Sequence, residues 1–301
     1  MNKNVIGLDL GGTSIKYGLG NTINHLTHFN VRKHYSSSID DIKSLLNITV
    51  SELLNIESQV NCICIASPGV IDCEKGIVLG STPNLPYLKG INLKKLLEDL
   101  FSLPVFIDND ANLMTLAESS NYPNKSTLGI TIGTGIGTGF VDDNGIFHGN
   151  TWKGLEAGHI IVVPNGRDCL CGKKGCLEAY ASANSMIRII NEYFPETNNY
   201  NINDILMLSR ENENYYSKLK EIYNVFAIAL ANLTMILNCD TIVLGGGVIE
   251  IEYYHFELIK KLTLSYLTHE YHDVKITKAQ YGNKAGVMGA IMLGLDKLDI
   301  K

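Results

Sequence analysis

Two carboxylates and two amides follow directly on a short apolar run. Residues 103–108 read Leu-Pro-Val-Phe-Ile-Asp, and Asn-Asp-Ala-Asn occupies positions 109–112. An apolar run that ends abruptly in polar residues is typical of a buried strand in an α/β sheet, whose carboxyl end opens into a ligand site. We therefore take Asp110 as a candidate catalytic base. The simpler alternative is a helix N-cap, since Asp and Asn often begin helices and residues 113–119 could form one.

Three glycine-rich turns, each directly after a predicted strand, could bind phosphate groups. They comprise residues 11–13, 133–139 and 245–247, after strands predicted at residues 5–10, 128–132 and 241–244. Backbone N–H groups in such turns can approach phosphate oxygens closely, because glycine has no Cβ. A structural hairpin is the simpler interpretation of a single turn, and the spacing of a Walker loop is absent. The first two turns are similar and lie about 120 residues apart, which predicts two related domains that face one cleft.

The residues beside these turns add to the nucleotide hypothesis. Asp9 precedes the first turn and could hold a phosphate-bound Mg²⁺ through water, while Thr13 adds a hydroxyl donor. After the second turn the next strand is predicted to begin at Phe140. The three consecutive glycines from Gly245 to Gly247 permit the flat approach of a large ring, as a nucleoside requires.

A cluster of cysteines predicts a metal centre. Cys169, Cys171 and Cys176 lie within eight residues, among glycine turns, and follow His159. This is a zinc-site pattern. A disulfide is the alternative, but structural zinc contributes about 10–16 kcal/mol against roughly 2–4 kcal/mol for a disulfide. With four protein ligands no position is open for water activation, so the predicted zinc is structural.

Hydrophobic periodicity predicts the elements that position these residues. Helices are expected at residues 39–56, 93–100, 219–236 and 285–295, and a strand at residues 60–66. Cys62 and Cys64 alternate within that strand and are most simply core residues. Two prolines stiffen the loop at residues 81–86, which suits a loop that holds Asn84 in place.

The composition describes an ordinary globular protein of 301 residues, with 45% hydrophobic and 19% charged residues. This length predicts two domains. The net charge of −6 argues against nucleic acid as the main partner. No apolar run approaches the roughly 20 residues of a membrane span, and Met1-Asn2 leads towards a strand rather than a signal peptide. We therefore expect a cytoplasmic protein with reduced thiols.

Together these motifs resemble the ROK family (repressors, open reading frames and sugar kinases) of the actin-like ATPase superfamily. The matching segments span nearly the whole chain and comprise residues 9–13, 67–69, 83–85, 109–112, 133–137, 156–159 and 169–178. The resemblance implies an α/β fold of two ribonuclease-H-like (actin-like ATPase) domains around an interdomain cleft. We expect a small domain of residues 1–108, on which a C-terminal helix at 288–301 packs, and a large domain of residues 109–287.

The resemblance also implies a function, which is transfer of the γ-phosphoryl group of ATP to the 6-hydroxyl of a hexose, with Asp110 as the base. The hexose would be allose- or glucose-like. The implied sugar-binding residues are Gly69, Asn84, Asn109, Asp110, Glu156, His159 and Glu178. The implied ATP-binding residues are Asp9, Gly11, Gly12, Thr13, Lys16, Thr134, Gly135, Gly245, Gly246 and Gly247. The implied cofactors are ATP, Mg²⁺ and structural Zn²⁺, and the implied assembly is a homodimer.

Two departures and several alternatives stay open at this point. Leu155 stands where the family usually has glycine, and Thr138 replaces another common glycine, so the sugar is not assigned. An N-acetylmannosamine kinase and a non-catalytic sugar-sensing protein are the alternatives within the family. A chaperone or filament ATPase of the same superfamily would not need Asn84, Glu156 and the zinc loop. With no helix-turn-helix segment before Val5, we do not expect a repressor.

Overall fold

The computed structural model describes residues 3–23, 25–80 and 83–299. The strands are β1 Val5–Leu10, β2 Ser14–Thr22, β3 His25–Lys33, β4 Cys62–Ser67, β5 Val70–Asp72, β6 Ile77–Gly80, β7 Val105–Asn109, β8 Thr127–Ile132, β9 Ile136–Asp142, β10 Gly145–Ile146, β11 Thr241–Gly245 and β12 Lys275–Lys278. The helices are α1 Ile39–Ile56, α2 Leu93–Phe101, α3 Asp110–Ser119, α4 Glu178–Ala181, α5 Ala183–Tyr193, α6 Ile202–Glu211, α7 Glu213–Leu237, α8 Phe256–Tyr266 and α9 Ala285–Asp299.

The chain forms two compact units. The first comprises Met1–Pro123, Gly139–Leu155 and Asn283–Lys301, and the second comprises Asn124–Thr138 and Glu156–Gly282. The sequence places the boundary at residue 108, whereas the first unit continues to Pro123 and includes residues 139–155. Of the predicted segments, Met1, Asn2, Ser81, Thr82 and the last two residues lie outside the described residues.

The sheet of the first unit has the order β3-β2-β1-β4-β7. β1 pairs antiparallel with β2 and parallel with β4, and β4 pairs parallel with β7. The register places Asp9 opposite both Lys16 and Ala66, and Ala66 opposite Asp108. The carboxyl ends of three parallel strands therefore meet at one edge of this sheet, which is where α/β folds bind ligands.

Helices cover both faces of this sheet. One face packs against α1, in a core that includes Ile6, Leu8, Ile42, Leu46 and Leu53. The opposite face packs against α9 and α3, in a core that includes Val5, Cys62, Cys64, Leu113, Val287 and Ile291. Glycines allow close approach here, since a Cβ at Gly289 would lie 1.8 Å from the Leu113 carbonyl oxygen. The prediction that Cys62 and Cys64 are core residues is confirmed.

The second sheet has the order β10-β9-β8-β11-β12. In the second unit, β11 pairs parallel with both β8 and β12. The long helix α7 packs against α8, α6, α4 and α5 of the same unit. It ends at Leu237, and the following Asn238 has a φ of +48°, the left-handed conformation common after a helix.

Two sequence expectations need correction. By length and composition α7 could cross a membrane, with a mean hydropathy of 1.3 in its most apolar window, so the expectation that no run qualifies is wrong. Because 56% of that window is buried inside the protein, its apolar character is that of a core helix. The strand expected at Phe140 begins instead at Ile136. A Cβ at Gly139 would lie 2.5 Å from Thr115 Oγ1, so this glycine serves close packing inside a strand rather than a turn.

Candidate active site and metal centre

Asp110 lies in the first turn of α3, at the edge of the first unit's sheet. The N-cap of this helix is Asn109, whose Oδ1 accepts hydrogen bonds from the backbone N–H groups of Ala111 and Asn112 at 2.9 and 3.2 Å. The Asn109 Nδ2 group donates to the Gly69 carbonyl oxygen at 2.9 Å. The N-cap interpretation is therefore correct for Asn109, and α3 begins at Asp110 rather than near residue 113. The capped helix end fixes the position of the Asp110 carboxylate.

The surroundings of Asp110 favour its protonated form. Burial, followed by repulsion from the Asp9 carboxylate, raises the pKa of Asp110 to about 7. The backbone N–H of Ala111, at 2.9 Å from Oδ1, and the Lys16 ammonium oppose this rise. Lys16 itself forms an ion pair with Asp9, with Nζ 2.9 Å from Oδ2. A carboxylate with a pKa close to neutrality is suited to accepting a proton at physiological pH.

The glycine hairpin between β1 and β2 is closed by a backbone hydrogen bond and lies against Asn84. Gly11 N–H donates to the Ser14 carbonyl oxygen at 2.9 Å, which closes a tight turn. A Cβ at Gly12 would lie 2.8 Å from Asn84 Cβ. The predicted phosphate-binding turn and the predicted sugar-binding loop are therefore in direct contact within the first unit.

His34 supports this hairpin, and the sequence analysis did not single it out. Its ring lies 3.0 Å from the Gly11 carbonyl oxygen through Nε2, and its backbone N–H donates to the Thr13 carbonyl oxygen at 2.9 Å. Since a carbonyl only accepts, Nε2 carries the proton. His34 is buried. A lone histidine after a strand gives no signal in the sequence, because its partner lies 23 residues earlier in the chain.

The second glycine turn holds a carboxylate. Gly133 N–H donates to the Gly135 carbonyl oxygen at 3.0 Å, and Glu178 Oε2 accepts from the backbone N–H of Ile136 at 2.9 Å. A Cβ at Gly135 would lie 2.6 Å from the same Glu178 oxygen, so only glycine allows this contact. Glu178 begins α4, and the turn is therefore fixed against the start of that helix.

The third glycine turn has one closed and one open position. Gly246 has a φ of +91°, and a Cβ there would lie 2.4 Å from the Ile132 carbonyl oxygen at the end of β8. At Gly247 a Cβ would meet no atom within 4 Å. Gly246 thus fixes the turn on the sheet, while Gly247 is the position that a ligand can approach.

The two departures from the family pattern have local structural explanations. Leu155 has a φ of +62°, a left-handed conformation that favours glycine and costs other residues about 1–2 kcal/mol. Thr138 is buried, and its Oγ1 accepts a hydrogen bond from the Ala157 N–H at 3.3 Å. Ala157 begins the short 3₁₀-helix Ala157–His159, so Thr138 fixes the segment that presents Glu156 and His159.

The four predicted zinc ligands converge in the second unit. Their ligand atoms, on His159, Cys169, Cys171 and Cys176, all lie within 4.8 Å of one another. Cys171 Sγ is 3.6 Å from Cys176 Sγ, and Cys169 Sγ is 3.7 Å from His159 Nδ1. A tetrahedral Zn²⁺ with Zn–S of about 2.3 Å and Zn–N of about 2.0 Å requires separations of roughly 3.5–3.8 Å. The donor set and its spacing therefore fit zinc.

A disulfide does not explain this cluster, because all three cysteines are free thiols. The interpretation as a disulfide is wrong. The cluster is built on a small hairpin in which Ile161 pairs with Cys176 and Asp168 with Lys174. Gly175 has a φ of +80°, and a Cβ there would lie 1.8 Å from the Val163 carbonyl oxygen. The glycine next to Cys176 is thus required to fold the loop.

The predicted site residues lie in two groups. In the first unit are Asp9, Gly11, Gly12, Thr13, Lys16, Gly69, Asn84, Asn109 and Asp110. In the second unit are Thr134, Gly135, Glu156, His159, Cys169, Cys171, Cys176, Glu178, Gly245, Gly246 and Gly247. Within the first unit, Lys16 forms an ion pair with Asp9, the Asp9 carboxylate repels that of Asp110, and Asn109 donates to the Gly69 carbonyl oxygen.

Comparison with known proteins matches one family over most of the chain. The model of the ROK family matches residues 5–297. The chain is 31% identical to an N-acetyl-D-glucosamine kinase of Photobacterium profundum, over 97% of this chain and 99% of that protein. It is 30% identical to a glucokinase of Halalkalibacterium halodurans, over 94% of this chain and 92% of that protein.

Solved structures agree with the predicted fold. A ROK hexokinase from Thermus thermophilus has a TM-score of 0.89 and 26% identity, covering 99% of this chain and 100% of its own. A ROK family glucokinase from Streptomyces griseus, in complex with glucose and AMPPNP, has a TM-score of 0.82 and 26% identity, covering 96% and 98%. These similarities confirm the predicted α/β fold class of ribonuclease-H-like, actin-like ATPase domains.

Proposed function

Because the chain belongs to the ROK family and is a sugar kinase of that family, we propose that it transfers the γ-phosphoryl group of ATP to the 6-hydroxyl of a glucose- or allose-like hexose. The observation that supports this most strongly is the environment of Asp110. Its carboxylate is fixed by a capped helix end and its pKa is raised to about 7.

Asp110 acts as the general base in this proposal. It accepts the proton of the sugar hydroxyl as that oxygen attacks the γ-phosphorus, and the bond from the γ-phosphorus to the oxygen that bridges to the β-phosphorus breaks to release ADP. Phosphoryl transfer depends mainly on positioning and on stabilisation of charge. A base with a pKa close to neutrality adds typically about 10²–10⁴-fold to such a step.

Asp9 and Asp110 fit a site for Mg²⁺ with the triphosphate. The repulsion between the two carboxylates contributes, after burial, to the raised pKa of Asp110, and the Lys16 ammonium, which pairs with Asp9, offsets part of this negative charge. Oxygen donors are the ligands that Mg²⁺ prefers. When bound, Mg²⁺ supplies positive charge that neutralises the phosphates. Asp9 would hold it, directly or through water, beside the Gly11–Thr13 turn.

The nucleotide is held by the glycine turns in this proposal. Gly11, Gly12 and Thr13 bind one part of the triphosphate, with Lys16 next to them, and Thr134 and Gly135 bind another part. Gly245, Gly246 and Gly247 bind adenosine, and the open surface at Gly247 supports this assignment. An ATP analogue is bound by the Streptomyces griseus relative, which supports ATP as the phosphoryl donor.

Asn84, Asn109, Glu156, His159 and Glu178 bind sugar hydroxyls in this proposal, together with Gly69. Asn109 Oδ1 is used in the helix cap and one N–H of its amide nitrogen donates to the Gly69 carbonyl oxygen, so its second N–H is the one that can donate to a sugar oxygen. His159 directs Nδ1 towards Cys169. With zinc on Nδ1, Nε2 carries the proton and is the nitrogen that can donate to a sugar oxygen.

N-acetylglucosamine is the second candidate substrate. Relatives with 31% and 30% identity are named N-acetyl-D-glucosamine kinases, and they match along nearly their whole length. The two candidates differ in the substituent on C2, a hydroxyl or an acetamide. N-acetylmannosamine is a further alternative, since a Listeria monocytogenes structure described as a putative N-acetylmannosamine kinase has the same fold. A sugar sensor without turnover would not need Asp110.

The substrate is identified by sugar-dependent ADP release with glucose, allose, N-acetylglucosamine and N-acetylmannosamine, followed by ³¹P-detected NMR of the product. We expect the highest kcat/KM with glucose or allose, and coupling of phosphorus to the C6 protons. Higher kcat/KM with N-acetylglucosamine would establish the second candidate. Phosphorus coupled to the proton on C1 would contradict transfer to the 6-hydroxyl.

The assembly and location are part of the proposal. We expect a homodimer, as the family resemblance implies, and a location in the cytoplasm, as the N-terminal sequence and the cysteines predict. Light scattering coupled to size-exclusion chromatography measures the assembly, and a mass close to that of one 33.1 kDa chain would contradict it.

A further inference from the structure

A second group of metal-ligating side chains lies in the first unit, apart from the cysteine cluster. It comprises Cys73, Asp108 and His148, whose ligand atoms all lie within 4.8 Å of one another. Cys73 follows β5, Asp108 lies in β7 and His148 follows β10. Three separate segments thus bring a thiol, a carboxylate and an imidazole to one point, and the proposed phosphoryl transfer uses none of them.

The Asp108 carboxylate is arranged with one oxygen fixed and the other directed at this point. It is 2% exposed. Oδ1 accepts from the backbone N–H of Asn109 at 2.7 Å and from Asn112 Nδ2 at 2.9 Å. Oδ2 lies 2.7 Å from His148 Nε2. In metal sites, hydrogen bonds to one carboxylate oxygen orient the carboxylate so that its other oxygen can bind the metal.

The imidazole is also oriented. The ring of His148 packs edge-on against Trp152, with centroids 5.0 Å apart. A Cβ at Gly154 would lie 2.7 Å from the His148 backbone carbonyl carbon, so the segment from His148 to Gly154 folds tightly on itself. This packing holds the ring with Nε2 directed towards Asp108.

We propose that Cys73, Asp108 and His148 form a second metal site, which takes a borderline divalent ion such as Zn²⁺ with its fourth position open to water or another small ligand. A thiolate together with an imidazole and a carboxylate selects Zn²⁺ or Co²⁺ over Mg²⁺ and Ca²⁺, which prefer oxygen donors alone. The site therefore does not compete for the Mg²⁺ that accompanies ATP.

Metal binding requires only a small adjustment of the group. Tetrahedral Zn²⁺ separates a nitrogen ligand from an oxygen ligand by roughly 3.3 Å, against 2.7 Å between His148 Nε2 and Asp108 Oδ2. The bound ion takes the place of the hydrogen bond between these two atoms. It then links the segment after β5, the end of β7 and the segment after β10, so bound metal stabilises the folded first unit.

The test counts metal ions in the full-length reduced protein. Apo protein is titrated with Co²⁺, whose bonds to thiolates give charge-transfer absorption in the near ultraviolet, and bound zinc is counted by mass spectrometry after dialysis. The variants are Cys73→Ser and His148→Gln, with Cys171→Ser to remove a ligand of the cysteine cluster. Cys239→Ser is the control, because this buried thiol of the second unit lies outside both clusters.

The proposal predicts that each wild-type chain binds one metal ion more than a chain of Cys73→Ser or His148→Gln. Cys239→Ser should bind as many metal ions as the wild type. In the wild type, excess Zn²⁺ should raise the melting temperature above that of protein with zinc in the cysteine cluster alone. In Cys73→Ser this further rise should be absent. Circular dichroism establishes that the variants are folded. Equal stoichiometry in the wild type and both folded variants would overturn the second site.

Discussion

Replacement of Asp110 by Asn is expected to remove activity and to stabilise the fold at the same time. Asn has the shape of the protonated acid but accepts no proton. In the folded protein Asp110 is destabilised as an anion, because burial and the neighbouring Asp9 carboxylate raise its pKa to about 7. The variant no longer has this unfavourable anion, so the residue that we assign to catalysis costs stability.

The magnitude follows from the pKa change. A rise from 3.8 to about 7 corresponds to about 4 kcal/mol, at about 1.4 kcal/mol per pKa unit. Asp110 is partly exposed, and solvent screening reduces this value, so we expect Asp110→Asn to gain roughly 1–3 kcal/mol above pH 8. The corresponding rise in melting temperature is roughly 2–10 °C.

The pH dependence distinguishes this mechanism from unrelated stabilisation. Between about pH 4 and pH 7 the folded state retains a proton on Asp110 that the unfolded state has released, so wild-type stability falls as pH rises through this window. The difference between Asp110→Asn and the wild type should be small below pH 4, increase up to pH 7 and stay constant above it. Urea unfolding at four pH values between 4 and 8.5 measures this curve.

Activity should follow the same titration with the opposite sign. Since the base must be ionised, wild-type kcat/KM should fall by about tenfold per pH unit below pH 7 in the absence of bound ligands. A stability difference that is constant with pH, or a variant less stable than the wild type at pH 8, would refute the electrostatic argument for Asp110.

Three further substitutions test separate parts of the structure. Gly12→Ala places a Cβ 2.8 Å from Asn84, which strains the turn by about 1–3 kcal/mol. This strain should lower kcat/KM for both ATP and sugar by roughly 5–150-fold. In steady-state kinetics, an effect on ATP alone would contradict the contact between the turn and Asn84. Cys171→Ser should lose zinc and lower the melting temperature, whereas Cys239→Ser should retain zinc; elemental analysis decides, and zinc-free wild-type protein would end the claim. Leu155→Gly should relieve the strain of the positive φ and raise the free energy of unfolding by up to about 1 kcal/mol, after the entropic cost of glycine. Leu155→Ala should not raise it. Equal gains of the two variants in thermal unfolding would show that the positive φ is not the cause.

Elements whose stability comes from their own sequence could be predicted closely. The helix predicted at residues 39–56 is confirmed as Ile39–Ile56. Its buried residues include Ile42, Leu45, Leu46 and Leu53, which are the apolar positions of the helical pattern. Ser38 and Asp41 form a capping box at its start, so local signals and the buried stripe agree.

Features that depend on distant contacts could not be predicted. The run of glycine and threonine after Gly133 has the composition of a turn, yet β9 begins at Ile136 and Gly139 lies inside this strand, close to Thr115. His34 gives no local signal, since its role arises from contacts with the hairpin at Gly11 and Thr13. The raised pKa of Asp110 likewise depends first on its burial in the fold and then on the Asp9 carboxylate, about 100 residues away in the sequence.

The central claim is that this sugar kinase uses Asp110 as the base, and one paired measurement tests it most directly. Sugar-dependent ADP release is measured for the wild type and Asp110→Asn at pH 8, alongside calorimetric titration of the same sugar into each. We predict that the wild type turns over at least one sugar of the panel. The variant should bind that sugar with an affinity within about threefold, while its kcat falls by about 10²–10⁴-fold. No sugar-dependent ADP release by the wild type, or a variant that keeps more than half of the wild-type kcat, would contradict the account.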